Sequence, residues 1–271
     1  MTASMTDIPP LPTSRPRRHK TARSVSALVL REMATTYGRS PGGYLWAVIE
    51  PAAAIALLTV VFSLALRSPS LGESFALFYA TGYLPFTFYN SLQSKISVSI
   101  RFSKALLAYP AVTFVDAILA RFVLNTLTLI MVTFVVIGGI VLMEDLRLRI
   151  DLPAALLAFG LAALLGLGIG TLNCFVMSMV PVWQTVWAIL TRPLFLISGI
   201  LFTFEEMPQA VREIAWWNPL FHVTGLARRA FYPTYDAAYA SVWYAGGIGV
   251  LTLFFGLLLL GRWHREILTA R

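Results

Sequence analysis

The chain alternates long stretches free of Asp, Glu, Lys and Arg with short stretches that hold nearly all of its charge. The charge-free runs are 51–66, 74–92, 122–143, 152–191 and 237–261. A helix needs about 20 apolar residues to cross the hydrocarbon core of a bilayer, so each run is a candidate span. The first becomes long enough when it starts near Leu45, which puts Glu50 and Pro51 in its opening turns and predicts a kink or a slightly later start. The run 152–191 is too long for one crossing, and Pro181 with Trp183 marks a tight turn inside it. Splitting it there predicts six spans, at about 45–66, 74–92, 122–143, 152–179, 184–204 and 237–261, with Arg192 inside the fifth.

The segments between the runs have patterns of their own. Val25, Leu28, Val29, Met33 and Tyr37 recur at helical spacing while Arg23, Arg31 and Thr35 face elsewhere, which predicts an amphipathic helix along the membrane surface. It ends at Gly38, and periodicity fits a simple anchor and a docking surface for a partner equally. Lys95, Arg101 and Lys104 stand among Ile96, Val98, Ile100, Phe102 and Leu106, too apolar for a plain connection and too charged to span, so a short protruding helix is expected. Between the last two spans lie Trp216-Trp217-Asn218-Pro219, His222, Arg228 and Arg229. The apolar piece 219–227 covers only about 13 Å as helix. It is expected to re-enter the membrane, the alternative being a loop anchored at headgroup level by its aromatic rings. Gly166, Gly168 and Gly170 form a small-residue face suited to close helix packing.

Composition agrees with lipid as the main solvent: of 271 residues 58% are hydrophobic and 13% charged, against about 25% charged in soluble domains. The basic residues orient the spans. With the N-terminus in the cytoplasm, the inner segments 1–44, 93–121 and 262–271 hold 14 Lys and Arg, the outer segments six, and Lys20, Lys95 and Lys104 are all inside. The net charge of +8 is therefore mostly topological and needs no nucleic acid. The expected organisation is a disordered basic tail over 1–21, one membrane domain over 22–265 and a cytoplasmic end at 266–271. No cleaved signal peptide is expected, and Cys174 falls mid-span.

The chemistry that is missing narrows the function. There is no G-x-x-x-x-G-K-[ST] loop to cradle ATP phosphates, and His19, His222 and His264 are too far apart in the expected topology for a metal cluster. Glu205, Glu206, Glu213 and His222 read as solvated headgroup-level residues rather than an active site. An ion-coupled carrier needs ionisable groups near the midplane, and Glu50 and Arg192 are the sole candidates. What fits is a pore-forming subunit driven by another protein. An intramembrane Arg costs about 2.5–3.5 kcal/mol on insertion scales, so Arg192 either meets water and anionic cargo or packs against a carbonyl or Glu50. Trp183, Trp187 and Phe195 suit a sugar path, and suit ordinary packing as well.

Arg31-Glu32 and Tyr37 on the surface helix, the lead-in Pro41-Gly42-Gly43-Tyr44-Leu45-Trp46 with Glu50-Pro51, Arg192-Pro193-Leu194-Phe195 with Ser198-Gly199, and the outer Asn218-Pro219 segment together resemble the type-2 ABC exporter permeases. Over about 22–265 the chain looks most like their capsular polysaccharide (KpsM-like) branch, although Gly42-Gly43 stands where many relatives have Leu-Gly. The resemblance implies an all-α integral membrane protein with six transmembrane helices, a cytoplasmic amphipathic interface helix and short re-entrant helices before the last span. It implies a homodimer in the bacterial inner membrane, both termini cytoplasmic. Two ATP-binding cassette subunits would carry the ATP and Mg that this chain does not bind, and a periplasmic polysaccharide co-polymerase or adaptor would sit outside. The cargo would be a lipid-linked acidic capsular polysaccharide, with exporters of O-antigen, teichoic acid or amphipathic drugs, and a non-transporting scaffold, as the alternatives. Arg31, Glu32, Tyr37, Arg39, Arg101 and Lys104 would face the ATPase. Trp46, Glu50, Trp183, Trp187, Arg192 and Phe195 would line the path, and Trp216, Trp217, Asn218, Pro219, His222, Arg228 and Arg229 its outer mouth.

Overall fold

A computed structural model describes residues 20–36, 42–107 and 112–269, and all the regular structure among them is helical. In chain order the helices are α1 (Lys20–Thr36), α2 (Gly43–Ala65), α3 (Phe75–Ser97), α4 (Ser99–Leu107), α5 (Phe114–Met143), α6 (Leu152–Met179), α7 (Trp183–Leu196), α8 (Gln209–Trp216), α9 (Pro219–Phe231) and α10 (Val242–Thr269). Tyr37, Arg39 and most of the expected tail lie outside the described residues.

Polar residues at the run boundaries start the helices. Ser74 accepts from the Leu77 N–H to cap α3, and Asp151 accepts from the Ala154 N–H to cap α6. Thr113 and Asp116 form a reciprocal capping box, which starts α5 well before its charge-free run. Asn218 caps α9, with Pro219 at the first helical position, where its missing N–H costs nothing. Pro51 lies inside α2, which continues through it.

Among the described residues four helices are long and apolar enough to cross a membrane: Gly43–Ala65, Phe114–Met143, Leu152–Met179 and Val242–His264. The segment expected as a second span is α3, which is internal, with Phe78, Tyr79, Ala80, Leu92 and Ile96 all at most 1% exposed. The segment expected to span at 184–204 is different. Its helix, α7, has 14 residues and ends at Leu196, about 21 Å of the roughly 30 Å core. Beyond it the chain turns at Gly199, whose φ of +73° is in the region that favours glycine, and a side chain there would strike Thr224 and Phe221.

The core is organised around α6, which packs against α3, α9 and α10. A Cβ on Gly166 would stand 2.8 Å from the Leu92 Cβ, and one on Gly170 3.0 Å from the Gln93 Cα, so these two glycines admit α3. Gly168, on another side, lies so close to α10 that a Cβ would strike the Gly249 carbonyl. α2 buries only Pro51 and Ile55, and α7 buries nothing. α3 also separates two ends. Seventeen residues divide Phe78, beside α9, from Lys95, beside α5, about 25 Å of helix.

Candidate functional site

On α7 the expected pathway residues divide between two faces. The Trp183 indole N–H donates to the Asn173 amide oxygen at 3.0 Å, and the Trp187 N–H to the Gln93 amide oxygen at 3.2 Å, which also faces the Asn173 amide nitrogen at 3.4 Å. Gln93 and Asn173 are both 4% exposed. Phe195 makes edge contacts with Tyr83 and Phe86 of α3. These three rings fasten α7 to α3 and α6. Arg192, by contrast, is exposed and has no ion pair among the described residues, with Glu50 or any other carboxylate. Around it Ile189, Leu190 and Leu196 are also exposed.

Trp46 and Glu50 lie together on α2, at the edge of a cavity of about 350 Å³ that α3 and α5 complete with Tyr83, Ser91, Lys95 and Asn125. The cavity is lined by one carboxylate and one ammonium among hydroxyls and an amide, enough polar partners to hold water next to an apolar helix.

At the α1 end, Glu32 points inward. Its carboxylate lies 3.3 Å from the Arg121 Nε of α5, both side chains under 10% exposed, close enough for an ion pair although that N–H is not aimed at the oxygen. Arg121 also donates to the Lys95 carbonyl at 2.6 Å and sits 4.1 Å from the centre of the Phe102 ring, which Arg31 approaches at 5.7 Å. One cluster thus joins α1, α3, α4 and α5. Burial pushes the Glu32 carboxyl above its ordinary range, and the Arg121 charge opposes this. Arg31, Arg101 and Lys104 are exposed, and Arg101 donates to Gln184 at the start of α7 at 3.1 Å.

At the α9 end, Asn218 donates to the Ile197 carbonyl at 2.9 Å and Thr224 to the Ser198 carbonyl at 2.7 Å, tying α9 to the turn after α7. His222, fully buried, faces the Trp216 carbonyl through Nε2 at 2.7 Å and accepts the Ser241 N–H at Nδ1, 3.1 Å. These partners fix the neutral tautomer with its proton on Nε2, and burial lowers the ring's pKa. Trp216 stacks on Tyr244 while Trp217 is 70% exposed. Arg228 is 2% exposed and donates to the Ile200 and Phe202 carbonyls at 2.9 and 3.1 Å, over the Phe78 ring at 4.2 Å. Arg229, the next residue, is exposed. Glu206 accepts from the Ser70 hydroxyl and the Thr203 N–H. The Tyr235 hydroxyl, pushed up to about 12 by burial, donates to Glu205.

Sequence reasoning gave Arg121, Gln93 and Asn173 no role, and named Phe102 only among the apolar residues of its segment. A search for charged residues in the spans does not see amides, and Arg121 read as one more inner-loop cation. Asn173, a lone amide within an apolar helix, was the available signal.

The sequence pattern of the ABC-2 type transporter family matches residues 23–232. The chain is 33% identical over 248 residues to the polysialic acid transport protein KpsM of Escherichia coli, covering 91% of this chain and 96% of that one. It is 24% identical over 245 residues to the capsule polysaccharide export inner-membrane protein CtrC of Neisseria meningitidis serogroup B, and 23% identical over 245 residues to BexB of Haemophilus influenzae, with 90% of this chain and 92% of the relative covered in each case.

Proposed function

The chain belongs to the ABC-2 type transporter family, and we propose that it is the permease subunit of an ATP-driven exporter that carries a lipid-linked acidic capsular polysaccharide across the bacterial inner membrane. The observation that carries this reading is the similarity over nine-tenths of the chain to permeases named for polysialic acid transport and capsule polysaccharide export. The acidic cargo follows the first of those names.

In this reading the four long apolar helices are joined by α3 and by α7 with the turn after it, giving six spans with both termini cytoplasmic. α1 and α4 face the cytoplasm, where Arg31, Arg101 and Lys104 meet an ATP-binding cassette subunit, a role that Tyr37 and Arg39, outside the described residues, are expected to share. Glu32 acts through Arg121, so a push on α4 reaches α1 and α5 through one cluster. α8 and α9 form the re-entrant outer mouth, a role that fits helices of 8 and 13 residues tied to the turn after α7. A periplasmic adaptor would take the polymer from there.

Two copies of the chain form the path. α2 and α7 bury almost nothing within one protomer, and α7 turns Arg192 outward. A guanidinium facing acyl chains is costly, so a second copy and the water between them give Arg192, Trp46 and Glu50 a setting that lipid does not. Arg192 then attracts acidic polymer, while Trp183 and Trp187 hold α7 in register rather than offering their N–H groups to sugars.

The test is depletion of the chain in its own host. Polymer should accumulate in the cytoplasm, and re-expression should return it to the surface. Unchanged surface polymer sinks the reading. Recovery without a co-purifying ATPase would favour a scaffold, and accumulation of O-antigen, teichoic acid or a drug instead would reassign the cargo.

A further inference from the structure

Between α5 and α6 lies an apolar groove of about 570 Å³. Along α5 it runs from Thr126 to Val141, sixteen residues, or about 22 Å of helix. Phe88, Phe159 and Phe231 line it as well. Gly138 and Gly160 face it without side chains, and a Cβ on either would meet nothing within 4 Å. The lining is apolar throughout apart from the hydroxyls of Thr126 and Thr133, so it suits hydrocarbon, and what tells a lipid from a partner's transmembrane helix is its mouth.

The mouth of the groove is charged. Ile150, Leu152 and Phe231 line the groove, and their neighbours Arg149, Asp151, Arg229 and Ala230 line a second cavity of about 400 Å³ with Asp236. The Asp151 N–H donates to the Ala230 carbonyl at 2.9 Å, which holds the two walls together. Neither Arg149 nor Arg229 has an ion pair among the described residues. Asp151 caps α6, and Asp236 is exposed beside it. Two guanidiniums suit a phosphodiester, which takes paired N–H donors, and two carboxylates next to them suit an ammonium.

We propose that this composite cavity binds one zwitterionic aminophospholipid of the surrounding bilayer. Its phosphate lies between Arg149 and Arg229, its amine faces Asp236, and one acyl chain fills the groove between α5 and α6. The proposal does not depend on the export role, and it commits to a membrane phospholipid rather than the lipid carried on a cargo.

The test is native mass spectrometry of the full chain released from nanodiscs of phosphatidylethanolamine, phosphatidylglycerol or phosphatidylcholine. A one-to-one adduct should survive with phosphatidylethanolamine and be about tenfold weaker with the other two. Arg149→Gln with Arg229→Gln should weaken it by at least about tenfold. Gly160→Leu, at a position where a side chain meets open space, should remove the adduct while leaving the unfolding midpoint near wild type. Asp236→Asn should abolish the preference over phosphatidylglycerol. Equal retention of all three lipids, an adduct indifferent to Gly160→Leu, or recovery of a cargo glycolipid in place of phospholipid from polymer-producing cells would each overturn the proposal.

Discussion

Arg121 and Arg228 are both buried, both sit over a phenylalanine ring, and both donate to backbone carbonyls, yet they hold their ends of the molecule in different ways. Arg121 pairs with a carboxylate on another helix, Glu32 of α1. Arg228 has no ion pair among the described residues and spends its charge on the carbonyls of Ile200 and Phe202. A carboxylate takes up a proton and can be exchanged for another partner. A carbonyl of the turn after α7 does neither. The α1 end is therefore closed by a joint that opens under modest free energy, and the α9 end by one that opens only when the turn itself comes apart.

The sharpest way to break this comparison is at Arg228. Arg228→Ala leaves the buried Ile200 carbonyl and the part-buried Phe202 carbonyl without this donor and removes the cation over Phe78, and we expect a loss of about 3 kcal/mol, read as the thermal unfolding midpoint in detergent. Arg228→Lys should recover little, since one ammonium does not reproduce the planar fork that reaches both carbonyls. A wild-type midpoint in either variant would remove Arg228 from this role.

Arg121→Ala should cost less, about 2 kcal/mol, the scale of a hydrogen bond to a charged group, because the Glu32 carboxyl, already raised by burial, escapes by protonation instead of staying a buried unpaired charge. A carboxyl raised in the folded state gives stability that is fully present below its ordinary value of 4.5 and is lost as pH rises through the raised value. The Arg121→Ala deficit should therefore grow from pH 4 to pH 8, and that growth should vanish in Arg121→Ala with Glu32→Gln, leaving the pH-independent loss of the Lys95 carbonyl bond and the Phe102 contact. A pH-independent deficit would mean that the pair is not what Arg121 supports.

His222 offers a smaller, pH-read test of the α9 end. Its neutral tautomer is fixed by Trp216 and Ser241, and burial lowers its pKa, so its stability is present above the ordinary 6.5 and is lost as pH falls through the depressed value. The midpoint should drop on acidification from pH 7.5 to 5, and His222→Gln should flatten that dependence. The smallest effect is expected from Trp187→Phe, which keeps the ring and removes one hydrogen bond to Gln93, about 1 kcal/mol. It should speed proteolysis or hydrogen exchange in α7 with little change elsewhere.

Much of the helical layout was legible from charge-free runs because bilayer thickness limits span length. Leu152–Met179 is where the run placed it, α1 follows the periodicity of its segment, and α4 follows the mixed apolar and basic composition of its own. The end of α7 was not legible, since residues 197–204 stay apolar and the break depends on the turn at Gly199 seated against Phe221 and Thr224. The candidate site was less legible still. Arg228 and Arg229 are neighbours of one type, one buried and one exposed, and the difference comes from Phe78 and the carbonyls of Ile200 and Phe202, which arrive from elsewhere in the chain. Trp183 and Trp187 were marked by type as binding rings, but Asn173 and Gln93 had already engaged their N–H groups.

The glycines of α6 set what this protein is able to do mechanically. Where Gly166 and Gly170 meet α3 and Gly168 meets α10, backbone lies against backbone with no side chain to act as a cushion. Three helices joined this closely slide poorly and form a chassis. Work delivered to the protomer is then taken up at its compliant margins, α2 and α7, which have almost no buried side chains to unlock.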